Sequence, residues 1–201
     1  MRAMQIWTLV ALAILVLAAS PSDASESLLG LEPGAVGLND VVSKLGPTEL
    51  VRTGDASTSE TSVCYQTNAG EFVVFASFSE MGGPDLDLTA IRLSASAPPG
   101  RKCARHPAKE PLAFSNGLKL GSTEADIKKH APGPANADGD FVACSKRFFE
   151  KGTPEYERWA NSEGCFREGE EPYYSVCSGL SAKFEDGRAV WIQLNRIESV
   201  C

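Results

Sequence analysis

The strongest constraint on this chain is that it repeats itself. Gly30-Leu31-Glu32-Pro33-Gly34 and Gly117-Leu118-Lys119-Leu120-Gly121 share a Gly-Leu-x-x-Gly pattern. Self-similarity at this spacing points to one structural unit used twice. A helical pattern follows each opening. In the first, Leu38, Val41, Val42 and Leu45 fall at i, i+3, i+4 and i+7, one apolar face of a short helix. In the second, Ser122 and Thr123 are cap residues, and Thr123 with Asp126 makes a Thr-x-x-Asp box. Asp40-Val41 matches Asp126-Ile127 after a one-residue gap. Both helices then meet Gly and Pro, at Gly46-Pro47 and at Pro132-Gly133-Pro134, which stop a helix.

Strand patterns follow in both halves. The first half predicts strands over 62–67, 71–78 and 88–94, with Asn68-Ala69-Gly70 turning between the first two. Phe72, Val74, Ala76 and Phe78 alternate with Val73, Phe75 and Ser77, so this strand is expected to be covered on both faces. The second half predicts strands over 141–149, 173–184 and 189–197. Glu185-Asp186-Gly187-Arg188 joins the last two, and Asp-Gly is a strong hairpin cue. Val190, Ile192 and Leu194 alternate with Trp191, Gln193 and Asn195, the pattern of a strand with one face buried.

The expected fold is therefore α+β: two tandem repeats, each a short helix or helix pair on an antiparallel sheet of three to four strands. The repeats span 25–97 and 117–201, joined by a Pro-rich, basic linker over 98–116 in which Arg101, Lys102, Arg105 and Lys109 are expected to be solvated. The second repeat carries an insertion over 148–174. Halves of about 75–95 residues are small for an independent core, so cross-linking and packing between them are expected.

Residues 1–24 read as an export signal. Arg2 precedes an apolar run from Ile6 to Ala19, shorter than the roughly 20 residues a bilayer requires. Ser22-x-Ala24 is the expected cleavage frame, ahead of Ser25, and an uncleaved anchor is the competing reading. No cysteine lies near this site to carry a lipid. All six cysteines, Cys64, Cys103, Cys144, Cys165, Cys177 and Cys201, follow the signal. An even count after a signal predicts disulfides formed in the periplasm or outside the cell. No Cys-x-x-Cys is present, and neither His106 nor His130 has ligand-like spacing, so no metal or cofactor is expected. The duplication favours Cys64–Cys103 and Cys144–Cys201, with Cys165–Cys177 closing the extra loop. Cys144–Cys165 with Cys177–Cys201 is the alternative among the fifteen pairings six cysteines allow.

Net charge is -7, and stays so without residues 1–24, which hold Arg2 and Asp23. Nucleic-acid binding draws on clustered Lys and Arg, so that partner class is not expected. Stable membrane insertion after signal cleavage is not expected either, since no second apolar run of spanning length follows.

The tandem Gly-rich lead-in, amphipathic helix with Asp-Val, Gly/Pro break and Cys-bearing strand resembles the β-lactamase-inhibitory-protein fold, and more loosely BamE-type envelope modules. Gly34 to Pro47 and Gly121 to Pro134 carry the resemblance. It implies a module that binds another exported protein through a sheet face and protruding loops. The six cysteines and the long second-half insertion depart from that pattern, and no contact residue of the family falls in the matching segments.

No Gly-x-Ser-x-Gly or His-Glu-x-x-His occurs, so catalysis is not expected. Asp85-x-Asp87 and Asp138-x-Asp140 are incomplete as calcium loops, and Asn136-Ala137-Asp138-Gly139 reads better as a turn. The insertion is the candidate binding surface, because Tyr, Trp and Arg dominate protein-binding hot spots. It offers Tyr156, Arg158, Trp159, Phe166, Arg167, Glu170, Glu171, Tyr173 and Tyr174. A competing reading makes Tyr156 and Trp159 one face of a short helix covering the open side of the sheet. The expected function is an exported protein-binding module, with an inhibitor or immunity role as its sharper form. The other readings are an envelope assembly factor and a hydrolase using dispersed carboxylates.

Overall fold

The computed structural model describes residues 26–55, 59–78, 86–160, 166 and 170–199. The signal segment, Cys165, Arg167 and Cys201 lie outside the described residues. Among the described residues, three helices, α1 (Leu38–Leu45), α2 (Glu124–Lys129) and α3 (Pro154–Ala160), accompany eight strands. The strands are β1 (Val51–Thr53), β2 (Glu60–Thr67), β3 (Phe72–Phe78), β4 (Ala90–Ser94), β5 (Ala104–His106), β6 (Phe141–Phe148), β7 (Tyr173–Glu185) and β8 (Arg188–Ser199). They form one sheet in the order β1-β2-β3-β4-β8-β7-β6, with β5 beside β2. All pairings are antiparallel except β2 with β5. The protein is thus α+β.

The six expected strands form within two residues of their predicted limits. Their turns follow the expected chemistry. Asp186 and Gly187 both adopt positive φ, at 49° and 73°, as a two-residue type I′ hairpin requires. Asn136 forms an Asx turn, its Oδ1 accepting from the amides of Asp138 and Asp140 at 2.9 and 3.0 Å.

Helices α1 and α2 are seated in the same way. Gly34 and Gly121 both have positive φ. Their amides donate to Leu88, ahead of β4, and to Ala189, early in β8, at 2.7 and 2.8 Å. The helix N-caps, Gly37 and Thr123, bridge Asp87 and Arg188. Asp40 and Asp126 each accept the cap amide at 2.8 Å, and Thr123 completes a reciprocal box by accepting from Asp126 N. Val41 and Ile127, one residue on, are almost wholly buried.

One face of the sheet meets these helices. Register aligns Tyr65, Val73, Leu93, Ile192 and Ala182 across β2-β3-β4-β8-β7. A neighbouring row aligns Val63, Phe75, Ile91, Leu194, Leu180 and Phe141. With Leu38, Val41 and Ile127 these make a single core through both halves. Each fully buried side chain of this size contributes about 1.5–3 kcal/mol, so the shared core couples the halves strongly. The β4–β8 pairing makes that coupling continuous in hydrogen bonds.

Two expectations need correction. Cys144 pairs with Cys177, rather than with Cys201 or Cys165. The reason is register: Cys144 on β6 stands directly opposite Cys177 on β7, with Cα atoms 4.1 Å apart. Cys64–Cys103 forms as expected. The basic linker is also more structured than its composition suggested. It contains β5 and sends Leu112 and Phe114 into the core. Its Arg101 is half-buried and donates to Ser62 Oγ and to the Ser62 carbonyl, both at 2.8 Å.

Candidate functional site

Strand alternation divides the sheet's residues between two faces. The face turned away from α1 and α2 carries a transverse row of one residue from each of six strands, small or polar in all but β6. These are Ser62, Ala76, Ala90, Asn195, Gly179 and Val142. Gly179 makes room for its neighbour, since a Cβ there would lie 2.0 Å from Asn195 Oδ1.

The first half of this face is closed. Cys64, Val74, Ala76 and Ala90 are buried, and the strap from Arg101 to Cys103 is fastened over β2 by the Cys64–Cys103 disulfide and the Arg101–Ser62 bonds. This is why β3 is buried on both sides. At its centre, Arg92 on β4 donates to both carboxylate oxygens of Glu60 on β2, at 2.9 and 2.6 Å. Its Nε donates to Gln193 on β8, so one side chain ties the two halves together. Burial alone would raise the Glu60 carboxyl. Arg92, helped by Ser62 and Arg101, outweighs that and holds it below the usual carboxylate range. Burial lowers the Arg101 guanidinium from its ordinary value.

The second half of the face is open. Val142, Phe148 and Ile197 are among the most exposed large apolar residues described, Phe148 at 59 %. All three alternate onto this face, with the Cys144–Cys177 disulfide between them. Phe148 stands opposite Tyr173, their ring centroids 6.1 Å apart, and Phe166 packs on Tyr173 at 5.2 Å. Lys146 Nζ lies 3.8 Å from the Tyr173 ring centroid, within cation–π range. Lys183 sits similarly over Trp191 at 5.4 Å. The surface is an aromatic and aliphatic patch edged by cations.

The residues singled out in the sequence divide between this patch and its margin. Phe166 and Tyr173 belong to the patch. Tyr174 points to the other side of β7, where it packs with Phe149 at 5.2 Å. Tyr156, Arg158 and Trp159 lie on α3, none of whose residues is buried. Glu170 pairs with Lys146 at 3.9 Å, and Glu171 pairs with Lys151, whose ammonium it holds above its ordinary range. Arg167 is outside the described residues. Phe148 is the first residue of the candidate insertion, whereas Val142, Lys146 and Ile197 lie outside it and were not singled out. Alternation along β6 would have found Val142 and Lys146; Ile197 needed the β7–β8 register. Among the described residues, no three His, Cys, Asp or Glu side chains are grouped to hold a metal, and no helix is long and apolar enough to cross a membrane. Two disulfides are compatible with a periplasmic or secreted protein. Compared with protein families, curated proteins and solved structures, the chain finds no match.

Proposed function

We propose that this chain is an exported binding protein that recognises another exported protein through the open second half of its sheet and the insertion beside it. The observation that carries this reading is the gathering of Val142, Phe148 and Ile197, all more than a third exposed, on one sheet face with Tyr173 and Phe166. Apolar side chains collected on one face, rimmed by charge, favour a macromolecular partner over solvent. The sharper form of the proposal is an inhibitor or immunity protein, in keeping with the resemblance to the β-lactamase-inhibitory-protein fold.

A tandem duplication belongs to the same proposal. It is supported by the paired helix seatings: Gly34 with Gly121, Gly37 with Thr123, Asp40 with Asp126 and Val41 with Ile127, each in the same relation to the last strand of its half. The sheet order β2-β3-β4 against β8-β7-β6 agrees with two copies meeting at β4 and β8.

The test is capture from envelope and culture-supernatant extracts on immobilised wild type and on a Phe148→Ser/Tyr173→Ser variant, with circular dichroism verifying the fold of each. A saturable protein held by wild type and lost at least tenfold by the variant supports the proposal. Equal capture by both, or none by either, overturns it.

A further inference from the structure

We infer that the Cys144–Cys177 disulfide is a reducible clasp that sets whether the insertion surface is held in shape. The two disulfides differ in placement. Cys64 is buried at 1 % exposure beneath the strap that carries Cys103. Cys144 is exposed, on β6 at the edge of the sheet order, and Cys177 opposite it is half-buried. Exposed disulfides exchange more readily with external thiols than buried ones.

What the clasp holds follows from register. Cys144 faces Cys177, and two open-face rungs further along the same ladder Phe148 faces Tyr173. These two aromatics are the stems from which the insertion leaves and returns. Beyond them the described contacts include Phe149 N to Pro172 O at 3.2 Å, the Phe149–Tyr174 and Phe166–Tyr173 ring contacts, and the exposed ion pairs Lys146–Glu170 and Lys151–Glu171. Exposed ion pairs hold little, and α3 buries no residue. The start of β6 has independent support, because Ala135 bridges Phe141 and Gly133 packs on the Val142 carbonyl. Opening the clasp therefore loosens the stretch from Cys144 to Phe148 and leaves the sheet core intact.

The chemistry needs an external dithiol as reductant. One of its thiolates attacks Sγ of the exposed Cys144 and breaks the S–S bond, and Cys177 leaves as a thiolate and takes up a proton. The second thiol of the reductant attacks the mixed disulfide and releases Cys144 as a thiol. Two electrons pass to the protein, and the reductant departs as its own disulfide.

The consequence for recognition rests on the binding role proposed above; the clasp itself does not. The test treats the folded exported chain with dithiothreitol at neutral pH, traps thiols with iodoacetamide at intervals, and maps them by mass spectrometry. Hydrogen exchange is followed in parallel. Cys144 and Cys177 are expected to label at least tenfold faster than Cys64 and Cys103. Amides of Cys144 to Phe148 are expected to exchange at least tenfold faster after reduction, with β2, β3 and β4 unchanged. A Cys144→Ser/Cys177→Ser variant should show the fast exchange without reductant, and wild type under reductant gives the answer if that variant does not fold. Simultaneous labelling of all four cysteines, or unchanged exchange in β6, overturns the inference. Selective opening in a protein that captures nothing in either redox state supports the clasp and refutes the binding role.

Discussion

Replacing Arg92 by methionine tests whether one side chain holds the halves together on the face turned away from α1 and α2. Arg92 and Glu60 expose 22 % and 18 % of their side chains, so the pair is largely desolvated. The substitution removes two charge-assisted hydrogen bonds to Glu60 and one bond to Gln193, while a methionine keeps much of the apolar stem. Bonds to charged groups contribute about 1.5–3 kcal/mol each, and breaking a fully buried pair costs about 3–5 kcal/mol. Partial exposure and the remaining Ser62 and Arg101 near Glu60 lower that. We expect a loss of about 2–3 kcal/mol at pH 7, or about 5–10 °C in Tm for a chain of this size. The pH dependence carries a sign. A carboxylate held below its unfolded value of about 4.3 stabilises the fold above that pH, and the contribution fades as pH falls through the folded value. The gap between wild type and Arg92→Met should therefore narrow below about pH 4, where Glu60 of the variant becomes neutral. Adding Glu60→Gln to the variant should recover at least half the loss at pH 7, because no unpaired charge stays desolvated. Urea unfolding at pH 7 and pH 3.5 measures all three. A loss below about 0.5 kcal/mol, or an equal loss at both pH values, would refute the reasoning, since the first lies within the range of an ordinary surface pair.

Three further outcomes follow from single contacts. Gly133→Ala places a Cβ 2.4 Å from the Val142 carbonyl oxygen, a backbone atom that cannot swing aside; a cost of about 1–3 kcal/mol is expected by urea unfolding, with faster exchange at Phe141 to Ala143. Tyr65→Phe removes the hydroxyl that donates to the Gly46 carbonyl at 2.7 Å and should cost about 1 kcal/mol. In wild type, burial raises the Tyr65 phenol above its ordinary value, so an absorbance titration should show one phenol ionising above the usual tyrosine range that is lost in the variant. Non-reducing peptide mapping should return Cys64–Cys103 and Cys144–Cys177; a Cys165–Cys177 peptide would contradict the β6–β7 register.

Much of the local structure was legible because its signals are local. Period-two alternation in 72–78 and 190–195, the Asp186-Gly187 turn and the Thr123–Asp126 cap each depend on neighbouring residues and formed where they were read. The short strands were not legible. Val51–Thr53 and Ala104–His106 have three residues each, too few to show a period, and they exist because β2 offers an edge to pair with. The candidate surface was half legible. Aromatic enrichment marked Phe166 and Tyr173, but which side of β6 faces water is a property of the sheet.

What the sequence by itself determined is local: the glycine seats at Gly34 and Gly121, the short helices that follow them and the antiparallel hairpins. Backbone conformation and side-chain period dictate these over a few residues, without reference to the rest of the chain. What only the tertiary structure decided is how the units join and what they leave exposed. The β4–β8 pairing turns two meanders into one sheet, and placing β7 between β6 and β8 gives Cys144 to Cys177 rather than to the C-terminal cysteine. The strap at Arg101 to Cys103 closes one half of the open face and leaves the other half bare. Each of these joins residues distant in sequence through register, and a shift of one residue would turn every side chain to the opposite face.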